Sequence, residues 1–176
     1  MQLIEKIQLI IHRIQEVNDD IEIDPGLPLK KVLDVFSSFG FSPPSEVIEL
    51  YTLYNGISDL DAYFHLQDIF YVKREYKFWK SVYSQENWWQ DSWLPLLTMN
   101  GDVVLHLDCD NLSVIAVDRE LGRVEKIAHY YEHYLDAILE LFETNALFYN
   151  KEEDYFEIDD KIWHEVRKKY QIKDAW

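Results

Sequence analysis

Residues 94–127 read LPLLTMNGDVVLHLDCDNLSVIAVDRELGRVEKI, and this stretch decides the fold. Four apolar runs stand in it: Leu94–Thr98, Val103–Asp108, Ser113–Asp118 and Arg123–Ile127. Short connectors separate them, namely Asn100-Gly101-Asp102, Cys109 to Leu112 and Arg119 to Gly122. Asn, Gly and Asp accept the tight backbone of a turn, and short runs at this spacing form an antiparallel meander. Pro95 falls near the start of its strand, where a missing donor is tolerated.

Helical periodicity surrounds this core. Upstream, residues 2–18 place Leu3, Ile4, Ile7, Ile10, Ile11, Ile14 and Val17 at three- and four-residue steps, which predicts an amphipathic helix. Asp24-Pro25-Gly26-Leu27-Pro28 predicts a turn. Leu29 to Ser38 predicts a short helix with Val32, Leu33, Val35 and Phe36 inward. Ser42 or Ser45 is placed to cap the next helix, whose buried stripe is Val47, Ile48, Leu50, Tyr51 and Leu53. Asn55-Gly56 is expected to end it, since both residues tolerate a left-handed backbone. Ala62 to Leu66 is a candidate strand, and Gln67 to Gln85 a helix that turns Ile69, Phe70, Val72, Tyr76, Phe78, Trp79 and Val82 inward. Downstream, a helix is expected from about Tyr130 to Leu147, then an acidic stretch, KEEDYFEIDD at 151–160, then a helical tail from Lys161 to Ile172. The sum is one α+β domain over residues 1–176, a mainly antiparallel sheet wrapped by helices, with an extra N-terminal helix and a helical C-terminal tail.

Composition narrows the function. The chain has 17 Lys and Arg against 33 Asp and Glu, a net charge of −16. Such a chain repels phosphates and anionic membrane surfaces and attracts basic partners, so neither direct nucleic acid binding nor membrane binding is expected. Cys109 is the only cysteine, so no internal disulfide forms, which suits a reducing compartment. The N-terminal segment lacks the pattern of a signal peptide, and no apolar run is long enough to cross a bilayer, so a cytoplasmic location is expected.

Catalytic signatures are missing. The sequence has no Gly-rich phosphate loop, no nucleophile elbow and no zinc-type cysteine pairing, so neither an enzyme nor a cofactor-binding protein is expected. His106, Asp108 and Asp110 alternate along one strand, and His129 and His133 are four apart on a helical face. That set could be imagined around a metal, but turn carboxylates and satisfied histidines account for it, and no metal is expected. Cys109 beside His106 reads as an inert packing residue rather than a reactive thiol. Trp88, Trp89 and Trp93 suit either a sugar- or peptide-binding shelf or core and edge packing, and packing is the expectation.

Three segments carry a resemblance: FSPPSEVIELYTLYNG at 41–56, WLPLLTMNGDVVLHLD at 93–108 and IAHYYEHYLDAILELF at 127–142. In that order and spacing, over about residues 27–145, they resemble the SUKH superfamily, which includes yeast cell-wall synthesis regulators and many bacterial immunity proteins. Ser-Pro-Pro stands where Leu-Pro is common, and the N-terminal helix, the insert at 67–92 and the tail after 148 lie outside the likeness. The resemblance implies an α+β fold and a non-catalytic, protein-binding role. Its bacterial members bind and neutralise toxin domains, often nucleases or deaminases. Asn55, Gly56, Trp93, Gly101, Asp102 and Asp108 match its motifs and look like fold determinants, the glycines at turns and the two aspartates accepting backbone hydrogen bonds there.

Acidity then gains a use. A nuclease needs a basic groove for phosphates, and carboxylates could occupy it. The residues expected at such an interface are Glu152, Glu153, Asp154, Glu157, Asp159 and Asp160, with Tyr155 and Trp163 as apolar anchors and Asp59 and Asp61 as a second acidic patch. The leading expectation is an immunity protein with one basic toxin domain as partner. A regulatory scaffold of the cell-wall regulator type, with several partners, is the alternative. A ligand-binding domain or enzyme is the third reading, which a deep pocket with convergent polar groups would support.

Overall fold

A computed structural model describes residues 2–99 and 102–173 of the 176. Strands β1 (Ile23–Pro25), β2 (Tyr54–Ile57), β3 (His65–Leu66), β4 (Trp93–Met99), β5 (Val103–Asp108), β6 (Val114–Asp118) and β7 (Arg123–Ala128) form one sheet. They pair in sequence order, every neighbour antiparallel. Strands β8 (Leu147–Asn150) and β9 (Tyr155–Ile158) form a separate hairpin. The helices are α1 (Leu3–Val17), α2 (Leu29–Phe36), α3 (Ser45–Leu53), α4 (Ile69–Tyr83), α5 (Tyr131–Glu143) and α6 (Asp160–Tyr170). The class is α+β, as the sequence predicts.

The predicted meander is β4 to β7. Leu94, Leu96, Leu97, Val104, Leu105, Ile115 and Val117 are buried, so both faces of the central strands are covered. Alternation along β5 separates the two sides. His106 meets Trp79 of α4 edge-on at 5.1 Å, while Val103, of opposite parity, lines a hollow beside α6. Helix α5 packs between α1 and α6. Across the first of these contacts the buried Lys6 ammonium pairs with Asp136 at 2.8 Å, as a charge taken out of water requires.

Several local expectations change. Asn55-Gly56 does not end α3 in a left-handed turn: the helix stops at Leu53 and both residues extend in β2. Gly56 pairs with Asp24 of β1, and a Cβ there would lie 3.0 Å from the Asp24 carboxylate. Asn55 caps a different helix, its Oδ1 accepting from the Ile69 N–H at 3.2 Å. The expected 24–28 turn begins inside β1 instead. There Gly26 is required by close approach, because a Cβ would collide with the Thr52 carbonyl. Neither Ser42 nor Ser45 caps α3, whose N-cap is Pro44. Val17, Leu33, Leu53, Phe70, Phe78 and Val82 are exposed rather than inward. Two of these rings carry cations instead, Lys31 over Phe70 and Arg119 over Phe78, each 5.0 Å from the centroid.

The C-terminal third differs most. Helix α5 ends at Glu143, and Asn145 takes a left-handed φ of 54°. Leu147, expected in the helix, opens the hairpin. The acidic stretch is therefore structured. Asn150 Oδ1 accepts from the Glu152 and Glu153 amides, Asp154 takes φ 59°, and Tyr155 starts β9.

Candidate functional site

The hairpin brings two sequence-distant regions together. Asp59 and His65, from the loop between β2 and β3 and its end, share a hollow of about 490 Å³ with Tyr155 and Glu157 of β9. A second hollow of about 710 Å³ adjoins it, with Tyr63 and Met99 common to both. Its floor is apolar, from Met99, Val103 and Ile127, and α6 contributes Asp160, Trp163 and Arg167 to one wall. Of the ten residues expected at an interface, Asp59, Tyr155 and Glu157 thus line the smaller hollow and Asp160 and Trp163 the adjoining larger one.

The remaining five divide. Glu152 and Glu153 are exposed at the hairpin turn beside it. Asp154 and Asp159 are exposed but partly committed to local structure. The Tyr149 hydroxyl donates to Asp154. Asp159 caps α6, accepting from the Lys161 and Ile162 amides at 2.9 and 3.2 Å.

Asp61 is a correction. It is 4% exposed and cannot present a surface charge. Its Oδ1 accepts from the Tyr63 and Phe64 amides at 2.8 and 3.0 Å, and its Oδ2 from the Tyr134 hydroxyl at 3.0 Å. The carboxyl thus ties the wall loop of the groove to α5. Burial raises it to about 6, with those donors pulling the other way. The Tyr134 hydroxyl is held well above its ordinary range by burial and by Asp61. Sequence placed Asp61 beside Asp59 in an acidic patch; Asp61-x-Tyr63-Phe64 is also the spacing of a side chain that accepts from amides two and three residues on.

No family model matches the chain, and no curated protein matches it either. The functional reading therefore rests on the geometry.

On the opposite face, the tryptophans form core. Trp89 and Trp93 are buried, and their rings lie 6.0 and 6.1 Å from that of His106. Trp88 is half-buried and packs on that core, its ring 6.3 Å from Trp93. His106 is fully buried, its ring nitrogens make no close hydrogen bond among the described residues, and burial lowers it to about 3, with the Val104 backbone pulling weakly the other way. It is a neutral ring in an aromatic box. The Cys109 thiol is pushed up to about 12 by burial and by Asp108 and Asp110, so it stays protonated. Asp108 holds the turn after β5, accepting from Ser92 Oγ, the Asp110 amide and the Asn111 side chain at 3.0, 3.1 and 2.7 Å. Trp93 packs in the core as expected. Asp102 is exposed and acts through its backbone, donating to Met99 O and accepting from Arg119 N. Gly101 lies outside the described residues. His129 precedes α5, so it does not share a helical face with His133. Among the described residues no three His, Cys, Asp or Glu side chains group around a possible metal position, and no helix is long and apolar enough to cross a membrane.

Proposed function

We propose that this chain is a non-catalytic protein-binding module of the immunity type, which neutralises a basic toxin domain by docking on the acidic end of the groove. One observation carries the reading. Asp59 and the hairpin, nearly a hundred residues apart in sequence, converge on one hollow that also holds an exposed ring. Asp59 and Glu157 line it with carboxylates, exposed Glu152 and Glu153 stand in the turn of the same hairpin, and Tyr155 here and Trp163 in the adjoining hollow offer the aromatic anchors that interfaces favour. A nuclease or deaminase whose substrate is a polyanion must expose cations. Carboxylates set on a short hairpin can enter such a site, and the net charge of −16 speeds the encounter. The resemblance to the SUKH superfamily agrees with this role.

The test is protection. Cells expressing the proposed partner, a basic nuclease or deaminase toxin domain, are expected to be rescued by the wild-type chain. Rescue is lost when Glu152, Glu153 and Glu157 are all replaced by Lys, while α-helical and β-sheet content stay unchanged by circular dichroism. Full rescue by that variant removes the hairpin from the interface.

A further inference from the structure

The solvent side of α4 has the opposite sign from the chain as a whole. The net charge is −16, yet α4 carries Lys73, Arg74, Lys77 and Lys80 against one acid, Glu75. Glu75 is buried and pairs with Arg119. Lys80 pairs with Asp91 at 2.8 Å and is spent there. Asp68 is spent as the N-cap, accepting from the Phe70 and Tyr71 amides at 2.9 and 3.1 Å. Lys73 and Lys77 make no ion pair among the described residues, and Arg74 has only the shared Glu75 carboxylate, at 3.9 Å. No exposed carboxylate stands on α4 itself.

Apolar side chains run through this basic face. Phe70, Phe78 and Val82 are exposed at 45%, 45% and 50%. They recur on one side of the helix, with Arg74 and Lys77 among them, along about 18 Å of its axis. Lys31 of neighbouring α2 reaches over Phe70 and makes no ion pair among the described residues. Single exposed hydrophobics need no explanation; three in one row, flanked by unpaired cations, form a coherent surface.

We propose that this face docks an acidic amphipathic helix of a protein partner. Charge complementarity selects the sign. Carboxylates of the partner meet Lys31, Lys73 and Lys77, and its apolar stripe lies on Phe70, Phe78 and Val82. A symmetric dimer through this face would set like charges against each other. A nucleic acid or an anionic bilayer extends past α4 and meets the repulsion of the whole chain. A short helix meets far less of it and regains free energy by covering the apolar row. Helix α4 covers the sheet face of His106, whereas the groove opens on the face of Val103. The two surfaces are separate, so this proposal goes beyond the toxin-docking reading and does not rest on it.

The experiment is fluorescence anisotropy of a labelled synthetic helix of about 18 residues, Leu on one side and Glu on the other, titrated with the full chain at about 150 mM salt. Saturable binding is expected, at least about tenfold tighter than for the same peptide with Lys in place of Glu. Lys73→Glu combined with Lys77→Glu weakens it about tenfold, and Lys73→Arg with Lys77→Arg retains it. The same change of charge on α6, Lys161→Glu with Lys168→Glu, leaves it unchanged, which separates the face from the net charge. Phe78→Ser weakens binding about tenfold through the apolar row alone. The charge variants decide even where Phe78→Ser disturbs packing. Absence of saturable binding, equal binding of the two peptides, or equal effects of the α4 and α6 reversals would each overturn the proposal. Tighter binding of duplex DNA, or of vesicles containing phosphatidylserine, would overturn it in favour of a polyanion site.

Discussion

Two buried titratable groups sit on opposite faces of the same sheet and behave differently. His106 is enclosed by Trp79, Trp89 and Trp93, with no close hydrogen-bond partner among the described residues. Asp61 is enclosed too, but it accepts three hydrogen bonds, and two of their donors belong to the loop that walls an open groove. Burial shifts both groups toward neutrality, His106 down to about 3 and Asp61 up to about 6. The difference is in the surroundings. The imidazole is sealed by rings and fills core. The carboxyl sits behind a surface where polar and apolar groups converge. Burial marks a residue as unusual; the groove beside it marks a site.

The largest expected effect comes from His106. Its folded value lies below its unfolded one, so the unfolded chain binds the extra proton. Its share of stability is complete above about pH 6.5 and is lost as pH falls toward about 3. At about 1.36 kcal/mol per pH unit, that loss is on the order of 5 kcal/mol. Urea unfolding of His106→Leu against wild type across this range should show the difference in slope; parallel curves would mean the ring is charged or exposed in the native state.

Asp61 acts with the opposite sign. Its folded value is raised, so the folded chain holds the extra proton, and stability is lost as pH rises from about 4 to about 6. The expected magnitude is about 3 kcal/mol. Between those limits the two slopes oppose each other. Asp61→Asn should therefore steepen the loss of stability on acidification, and His106→Leu should reverse it for this pair of groups. A stability difference between Asp61→Asn and wild type that stays constant with pH would contradict the raised carboxyl.

Gly26→Ala sharpens the contrast from outside both sites. The added Cβ meets the Thr52 backbone, which cannot step aside as a side chain can. A loss of about 3 kcal/mol or more is expected in chemical denaturation. The smallest effect on stability belongs to Trp163→Ala, within about 1 kcal/mol, because this ring is only half buried. On partner affinity the same change should cost about tenfold or more, measured by calorimetry. A change in stability without a change in affinity would make Trp163 a packing residue.

The sequence made the sheet legible and the groove illegible, for physical reasons. Strands β4 to β7 are long enough to show their apolar runs, and their turn residues separate them cleanly. Strands β8 and β9 have four residues each, too few to display a period of two, and exposed Phe148 and Tyr155 lie on the same side as Glu157, which blurs the pattern. Four charged residues between them resemble a solvated linker until Asn150 is seen to fold them. Of the residues near 152–163 expected at an interface, all are exposed apart from half-buried Glu157 and Trp163. What could not be read was their meeting with Asp59, since that depends on where the hairpin docks. Asp61 was misplaced because an acidic residue beside another suggests a surface patch, whereas its carboxylate is consumed by amides two and three residues ahead and by a tyrosine 73 positions away.

The most direct measurement is the affinity of this chain for the proposed partner, a basic nuclease or deaminase toxin domain, at about 50 mM and about 500 mM salt, where screening of exposed charges differs strongly. The account predicts tight binding that weakens with salt, with most of the change in the association rate. It also predicts that replacing Asp59 and Glu157 by Lys removes most of that salt dependence. Binding of equal strength at both salt concentrations, or unchanged by those replacements, would contradict the acidic groove as the docking surface.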